Sequence, residues 1–431
     1  MTKGQRIYVI ADDLTGAADA ANYFRTGSHQ VRVSFRSDSP WVFSLGSNIV
    51  QVFDSESRAL DEDTARQIVM NAGEQLRTSP NVPFLVYKKI DSTLRGHVGS
   101  EIEAFLKSLH RRVAVLAPTF PANGRIVQNG TLYVNGSPVS QTDFANDPRN
   151  PVTQDRVADL VRQTTTLPVI ELTEDVLARG IDVVAEFIEG AAHKEAIIVA
   201  DSTTNEELAV IAKAIAYNSS VLPCGSAGLA KQLAACWLND ASESESNLLP
   251  QQMPSCEHVL VAVGSANPVA HRQLEHVTRT YQSSIVELQP LLLAKQNTHA
   301  IELQRGSDEL VHCSDQPVAG VTLAPARAMR DSALPGSFES DLAYAVNQWT
   351  ESMSDRNAIG FVATGGDTAL ALCEALNAAA IWPEGEVIAG IPWSWIETSH
   401  GKIPLVSKAG GFGAMSALTE AAGFLLNKCP V

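Results

Sequence analysis

The chain reads as an α/β protein of two domains, each a mostly parallel sheet flanked by helices, with a cleft between them. Two observations predict this. Short apolar runs of strand length alternate with segments whose apolar residues recur at helical spacing, and the alternation occurs in both halves. Between the halves, Asn239 to Asn247 is polar, rich in Ser and Glu, and lacks any apolar period. That stretch predicts an exposed linker, giving domains over 1–238 and 257–431 joined by 239–256.

In the first half, apolar runs predict strands over 7–11, 31–34, 49–53, 84–88, 113–117, 197–200 and 220–224. Helical spacing predicts helices over 16–26, 62–77, 98–108, 173–192 and 205–217. Nearly continuous apolar strands with helices between them indicate a parallel sheet covered on both faces. After the linker the pattern restarts with strands over 258–263, 285–288, 309–312, 358–363 and 405–407. Helices are predicted over 268–281, 338–353 and 368–378.

Composition bounds the function. At 431 residues, 45% hydrophobic and 19% charged, the chain has the balance of a globular protein with room for two cores. A net charge of −16 argues against nucleic acid or anionic membranes as partners, while a local cluster of cations can still hold a small anion. Six cysteines without paired or zinc-like spacing predict reduced thiols and a cytoplasmic protein. No run approaches the length of a membrane span, and the first apolar run is stopped by Asp12 and Asp13, too early for a signal peptide. A homodimer is the expectation for an oligomer.

The unusual polar residues fall at the carboxyl ends of predicted strands, where open α/β sheets bind ligands. After the first strand come Asp12 and Asp13, adjacent carboxylates of which one can cap the next helix and the other serve as base or ligand. Arg58 follows the strand at 49–53 and suits bidentate contact with an anion, or a pair with a neighbouring carboxylate. After the strand at 84–88, Lys89, Asp91, Ser92, Thr93 and Arg95 are packed before Gly96. Together these loops describe a pocket for a small polyhydroxylated anion. Asn123, Arg125 and the rigid loop 147–151 could reach it, the last as a lid, although structural locking explains them as well.

In the second half, Thr364-Gly365-Gly366-Asp367-Thr368 stands between a strand and a helix. Adjacent glycines allow close backbone approach, and the helix start offers free N–H groups to an anion. A plain turn capped by Asp367 or Thr368 is the alternative. Ser265 after the strand at 258–263, and Gly410-Gly411 after the strand at 405–407, repeat the arrangement. Three such loops point to an extended phosphate ligand such as a nucleotide, with Asp367 beside an accompanying divalent cation.

Taken in order, Ala11 to Ala17, Lys89 to Gly96, Ala117 to Pro121, Val263-Gly264-Ser265, Thr364 to Thr368 and Ser407 to Gly413 resemble the four-carbon acid sugar kinase family, formerly a domain of unknown function. The resemblance spans essentially the whole chain. It implies an N-terminal domain that binds a four-carbon sugar acid, a C-terminal domain that binds ATP with Mg²⁺, and transfer of the γ-phosphoryl to a terminal hydroxyl in the interdomain cleft. It implies substrate contacts at Asp12, Arg58, Lys89, Ile90, Asp91 and Ser92. Nucleotide contacts fall on Ser265, Gly365, Gly366, Asp367, Thr368, Gly410 and Gly411, with Asp367 toward the metal. Arg58 and Lys89 would hold the substrate carboxylate, and Asp12, or failing it Asp91, would orient or deprotonate the hydroxyl. The form Lys89-Ile90-Asp91-Ser92-Thr93-Leu94-Arg95-Gly96 looks more like the threonate and erythronate kinases than the 3-oxo-tetronate branch, which favours D-threonate. The chain departs from the family in Ala409-Gly410-Gly411, where Lys-Ser-Gly or a close relative is expected before Gly-Phe-Gly.

Two other classes fit less well. A dinucleotide-dependent oxidoreductase would need glycines where Asp12 and Asp13 stand. A sugar-acid sensor would leave the glycine-rich loops of the second half without purpose.

Overall fold

The computed structural model describes residues 6–26, 28–35, 46, 48–78, 84–147, 150–238, 253–264, 267–323, 338–355, 358–388, 390–408 and 412–427. The chain divides into two compact units, Met1–Asn247 and Leu248–Val431. Most of the expected linker, with Ser265, Gly410 and Gly411, lies outside the described residues.

The first unit contains strands β1 (Arg6–Ala11), β2 (Gln30–Ser34), β3 (Ile49–Asp54), β4 (Phe84–Lys89), β5 (Val113–Ala117), β6 (Arg125–Gln128), β7 (Thr131–Val134), β8 (Ser137–Pro138), β9 (Val169–Leu172), β10 (Ala196–Ala200) and β11 (Val221–Gly225). Its helices are α1 (Leu14–Phe24), α2 (Glu62–Thr78), α3 (Val98–Ser108), α4 (Val157–Arg162), α5 (Glu174–Leu177), α6 (Ile181–Ala191), α7 (Asn205–Ile215) and α8 (Ala227–Leu238). The main sheet runs β2-β3-β1-β4-β11-β5-β10-β9 with every pair parallel, while β6, β7 and β8 form a small antiparallel sheet. Covered on both faces, these strands read as unbroken apolar runs. One face packs Tyr8, Ile10 and Phe53 against Val69, Leu76, Ile102 and Phe105 of α2 and α3. The other carries α1 and α8, where Phe24 stacks on Trp237 at 5.9 Å. The chain leaves β1 toward β2 and β3, then returns to place β4 on the opposite side of β1. That reversal brings the loops after β1, β3 and β4 to one edge, the position where α/β sheets hold ligands.

The second unit has β12 (His258–Val263), β13 (Ile285–Leu288), β14 (Val318–Leu323), β15 (Ile359–Thr364), β16 (Ala380–Ile388), β17 (Ile391–Thr398) and β18 (Gly401–Lys408). Helices α9 (Pro268–Tyr281), α10 (Pro290–Leu293), α11 (Gln296–His312), α12 (Phe338–Ser352), α13 (Gly366–Ala375) and α14 (Ala417–Leu425) accompany them. Strands β13-β14-β12-β15-β18 are parallel, and β17 and β16 extend the sheet antiparallel. Leu274 and Val277 of α9 and Leu418 and Leu425 of α14 cover one face with Trp393 and Val406, while Trp349 of α12 meets Phe361 edge-on at 6.0 Å.

Two expectations are corrected. The segment 309–312 is the last turn of α11, not a strand. Glu302, Gly306 and Leu310 are buried at intervals of four, and Arg305 pairs with both Glu302 and Glu309 across helical spacings. The strand of that region is β14. The helix expected over 173–192 is two helices, separated at Gly180, whose φ of 93° no right-handed helix contains. Strands β6, β8, β9, β14, β16 and β17, and helices α4, α8, α10, α11 and α14, are present without having been predicted. Among the described residues, no helix is long and apolar enough to cross a membrane.

Candidate active site

The loop after β1 folds as its sequence requires. Asp13 caps α1, extended at φ −152°, and its Oδ1 accepts from Gly16 N at 2.8 Å. Asp12, almost completely buried, turns to Arg58. The Arg58 guanidinium grips both carboxylates. Its Nε and Nη2 donate to Asp12 at 3.0 Å each, while Nη1 and Nη2 donate to Asp13 at 2.7 and 2.9 Å. Burial alone would raise the Asp12 carboxyl, but Arg58, then Lys88 and Lys89, outweigh it and hold the group below the ordinary aspartate range. Burial keeps Asp13 above that range, with Asp12 adding to the rise and Arg58 opposing it. Arg58 is therefore the ion-pair partner of Asp12 and Asp13.

Strand alternation separates the two lysines of β4. Lys88 points to α3 and pairs with Glu101 at 2.8 Å, both side chains buried, with Ser57 Oγ donating to the same carboxylate at 3.0 Å. Lys89 points to α1. Its Nζ donates to Ile90 O at 2.8 Å, makes no ion pair among the described residues, and lies 2.7 Å from where a Cβ on residue 16 would stand. Glycine at 16 is what admits the ammonium.

The loop after β4 is locked internally. Arg95 Nε donates to Asp91 Oδ2 at 2.8 Å, Thr93 Oγ1 donates to the same oxygen, and Arg95 Nη1 reaches Asp147 at 3.2 Å. Burial opposes the ionised form of Asp91, but Arg58, Arg95 and Thr93 drive its carboxyl far below the usual range. Leu94 holds a left-handed backbone, φ 63°, with its side chain buried in the core under α3. Gly96, φ 90°, lies directly against the Arg58 stem, whose Cγ would be 3.3 Å from an added Cβ. Ile90 is buried in the core and Ser92 is half-buried. Arg125 and Arg95 flank the Phe144 ring, 5.8 and 5.2 Å from its centroid. The expected lid is tied down where it is described, by Asp147 to Arg95 and by Asn150 Nδ2 to Arg58 O at 3.0 Å.

In the second unit, β12 and β18 flank β15, with Val263 and Lys408 both level with Thr364. The carboxyl ends of all three strands therefore share one edge, and α9 and α13 both start there. Gly365 takes φ 97° before α13, and its N–H donates to Lys408 O at 2.8 Å. Gly264 lies so close to Thr368 that an added Cβ would stand 2.1 Å from its Oγ1. Gly366 and Asp367, in the first turn of α13, are exposed. The helix cap is Gly365 rather than Asp367 or Thr368. Thr364 Oγ1 is buried without a partner, and Lys408, whose Nζ donates to Phe412 O at 2.9 Å, is pushed down to about 8 by burial. Helix starts, a left-handed glycine and a buried lysine suit phosphate oxygens. The donor set around Asp367 fits Mg²⁺ only as a partner of those oxygens, since no group of three or more ligating side chains occurs among the described residues.

Sequence reading missed the Lys88–Glu101 pair, the Phe144 stack and buried Asp54, whose carboxyl is held well above its usual value by burial. A carboxylate at 101, on a helix face otherwise made by Val98, Ile102 and Phe105, was the available signal for the first.

Comparison with known proteins finds two family matches along the chain. Residues 7–233 match the sugar-binding N-terminal domain family and residues 260–418 the nucleotide-binding C-terminal domain family. A D-threonate kinase of Salmonella typhimurium is 30% identical, the alignment covering 96% of this chain and 97% of that protein. A D-erythronate kinase of Heliobacterium modesticaldum is also 30% identical, over 98% and 97%. A crystal structure of a Haemophilus influenzae protein, 21% identical, superposes with a TM-score of 0.76 over 97% of this chain and 100% of that one, a likeness of fold.

Proposed function

Because this chain belongs to the four-carbon acid sugar kinase family, we propose that it transfers the γ-phosphoryl group of ATP to the terminal hydroxyl of a four-carbon sugar acid, D-threonate first, with D-erythronate and 3-oxo-tetronate as the alternatives. The observation that carries the reading is Lys89. It is a buried ammonium at the carboxyl edge of the first sheet, bonded to Ile90 O and without an ion pair among the described residues. A small carboxylic acid offers it that direct pair.

In this reading Lys89 binds the substrate carboxylate. Asp12 and Asp13, fixed by Arg58, orient substrate hydroxyls as hydrogen-bond acceptors, and Asp91 and Ser92 line the same edge. Asp12 and Asp91 act by position rather than as bases, since the guanidinium contacts outweigh burial and hold each carboxyl below the ordinary aspartate range. In the second unit, the N–H groups opening α13, the Gly264 backbone and Lys408 hold the phosphates, and Ser265, Gly410 and Gly411, close to them in the sequence, take part in the same contact. Mg²⁺, held by phosphate oxygens and Asp367, neutralises charge on the transferring group.

The test is incubation with ATP, Mg²⁺ and a panel of four-carbon acids that includes both stereoisomers and the 3-oxo acid, with ADP and the phosphorylated acid measured together. Stoichiometric ADP and 4-phosphate from one acid supports the proposal. ADP release that no acid stimulates refutes it.

A further inference from the structure

Phosphoryl transfer to an alcohol releases the hydroxyl proton, and the carboxylates discussed so far are poorly placed to receive it. Arg58 occupies Asp12 and Asp13, while Arg95 and Thr93 occupy Asp91. Asp54 has no surface open to a ligand.

Asp19 differs from all of these. It lies on α1 one turn beyond Gly16, and positions three apart on a helix are neighbours. Gly16 is where the Lys89 ammonium meets the helix. The Asp19 side chain is open to solvent and makes no hydrogen bond or ion pair among the described residues. Lys89, Asp13 and Asp91 are near enough for their charges to act on it. On α8, which packs against α1, Lys231 lies over the Tyr23 ring at 5.4 Å.

Three residues of α-helix rise about 4.5 Å. An acid whose carboxylate meets Lys89 beside Gly16 and whose chain runs along α1 therefore has Asp19 among the groups its hydroxyls can reach.

We propose that Asp19 is the catalytic base of the transfer. Its carboxylate takes the hydroxyl proton as the hydroxyl oxygen bonds to the γ-phosphorus. The bond from that phosphorus to the bridging oxygen breaks, and its electron pair leaves with ADP. This inference rests on the sugar-acid kinase reading.

The experiment compares wild type with Asp19→Asn, measuring kcat and KM for the acid from about pH 5.5 to about pH 9, with acid binding by calorimetry and the melting curve as controls. The expected result is a fall in kcat of about 100-fold or more, the usual scale for general-base catalysis. KM and acid affinity stay within about threefold, and the melting curve is unchanged because the residue is on the surface. The wild-type pH profile of kcat carries an ionisation that the variant lacks. A variant kcat within about threefold of wild type overturns the proposal. So does a rise in KM at constant kcat, which marks a binding contact, or a loss that added Mg²⁺ restores, which marks an ion ligand. Absence of wild-type turnover with every four-carbon acid overturns the kinase reading itself, and is recognised before any variant is compared.

Discussion

Replacing Arg58 by Met keeps most of the side-chain volume and removes the charge, leaving Asp12 and Asp13 adjacent and unpaired. Four hydrogen bonds disappear, all to carboxylates, with Asp12 almost wholly buried. Breaking one side of a buried ion pair costs about 3–5 kcal/mol. A second estimate limits that figure. The stranded Asp12 escapes by taking a proton, and forcing protonation of a carboxyl of ordinary pKa costs about 1.4 kcal/mol for each pH unit above about 3.9. The ceiling is thus about 5 kcal/mol at about pH 7.5 and about 2 kcal/mol at about pH 5.5. The signs are opposite in the two proteins. In wild type the Asp12 carboxyl lies below its unfolded value, so its stabilisation is present above about pH 3.9 and is lost as pH falls through the folded value. In the variant it lies above the unfolded value, so stability declines as pH rises past about 4. Hydrogen exchange of β1 and β3 amides at the two pH values measures the opening free energy of this region directly. A loss under about 1 kcal/mol at the higher pH, or a loss that does not shrink on acidification, refutes the account of the fork.

Two further outcomes follow from pairs and protons on other elements. Lys88→Met strands Glu101 and is expected to destabilise the first unit by about 3–5 kcal/mol, while Lys88→Met with Glu101→Gln recovers at least half, measured by urea unfolding. In the second unit, Lys408 is held at about 8 by burial, so it is largely neutral at about pH 9 and already protonated at about pH 6.5. ATP phosphates beside it are expected to draw a proton onto it. Calorimetry in buffers of different ionisation enthalpy should show uptake at the higher pH, none at the lower, and none at either in Lys408→Met; equal values at the two pH values contradict the placement.

The sheets were legible because buried parallel strands leave continuous apolar runs such as Val113 to Ala117, and polar residues at their carboxyl ends stand out against that background. Antiparallel β16 and β17 were not, since Trp382, Pro383, Glu384 and Gly385 break any simple alternation. Asp12, Arg58 and Lys89 could be named as site candidates, yet their pairing could not. Arg58 and Asp12 are 46 residues apart, and only the parallel register of β1 beside β3 brings them into contact. Adjacent Lys88 and Lys89 look equivalent in the sequence, and strand pleating sends one to a structural ion pair and the other to the open edge. Asp19 drew no attention because an exposed aspartate on a helix is ordinary until its neighbours are known.

Leu94 gives the loop after β4 a particular mechanical character. A leucine in left-handed backbone costs about 1–2 kcal/mol, and burying its side chain returns about as much or more. Neither term survives if the loop shifts, because the same rotation that relaxes the backbone withdraws the side chain from the core. The loop is thereby a rigid template. A ligand docking on it incurs little ordering entropy there, and any movement that accompanies binding must be taken up by other segments of the chain.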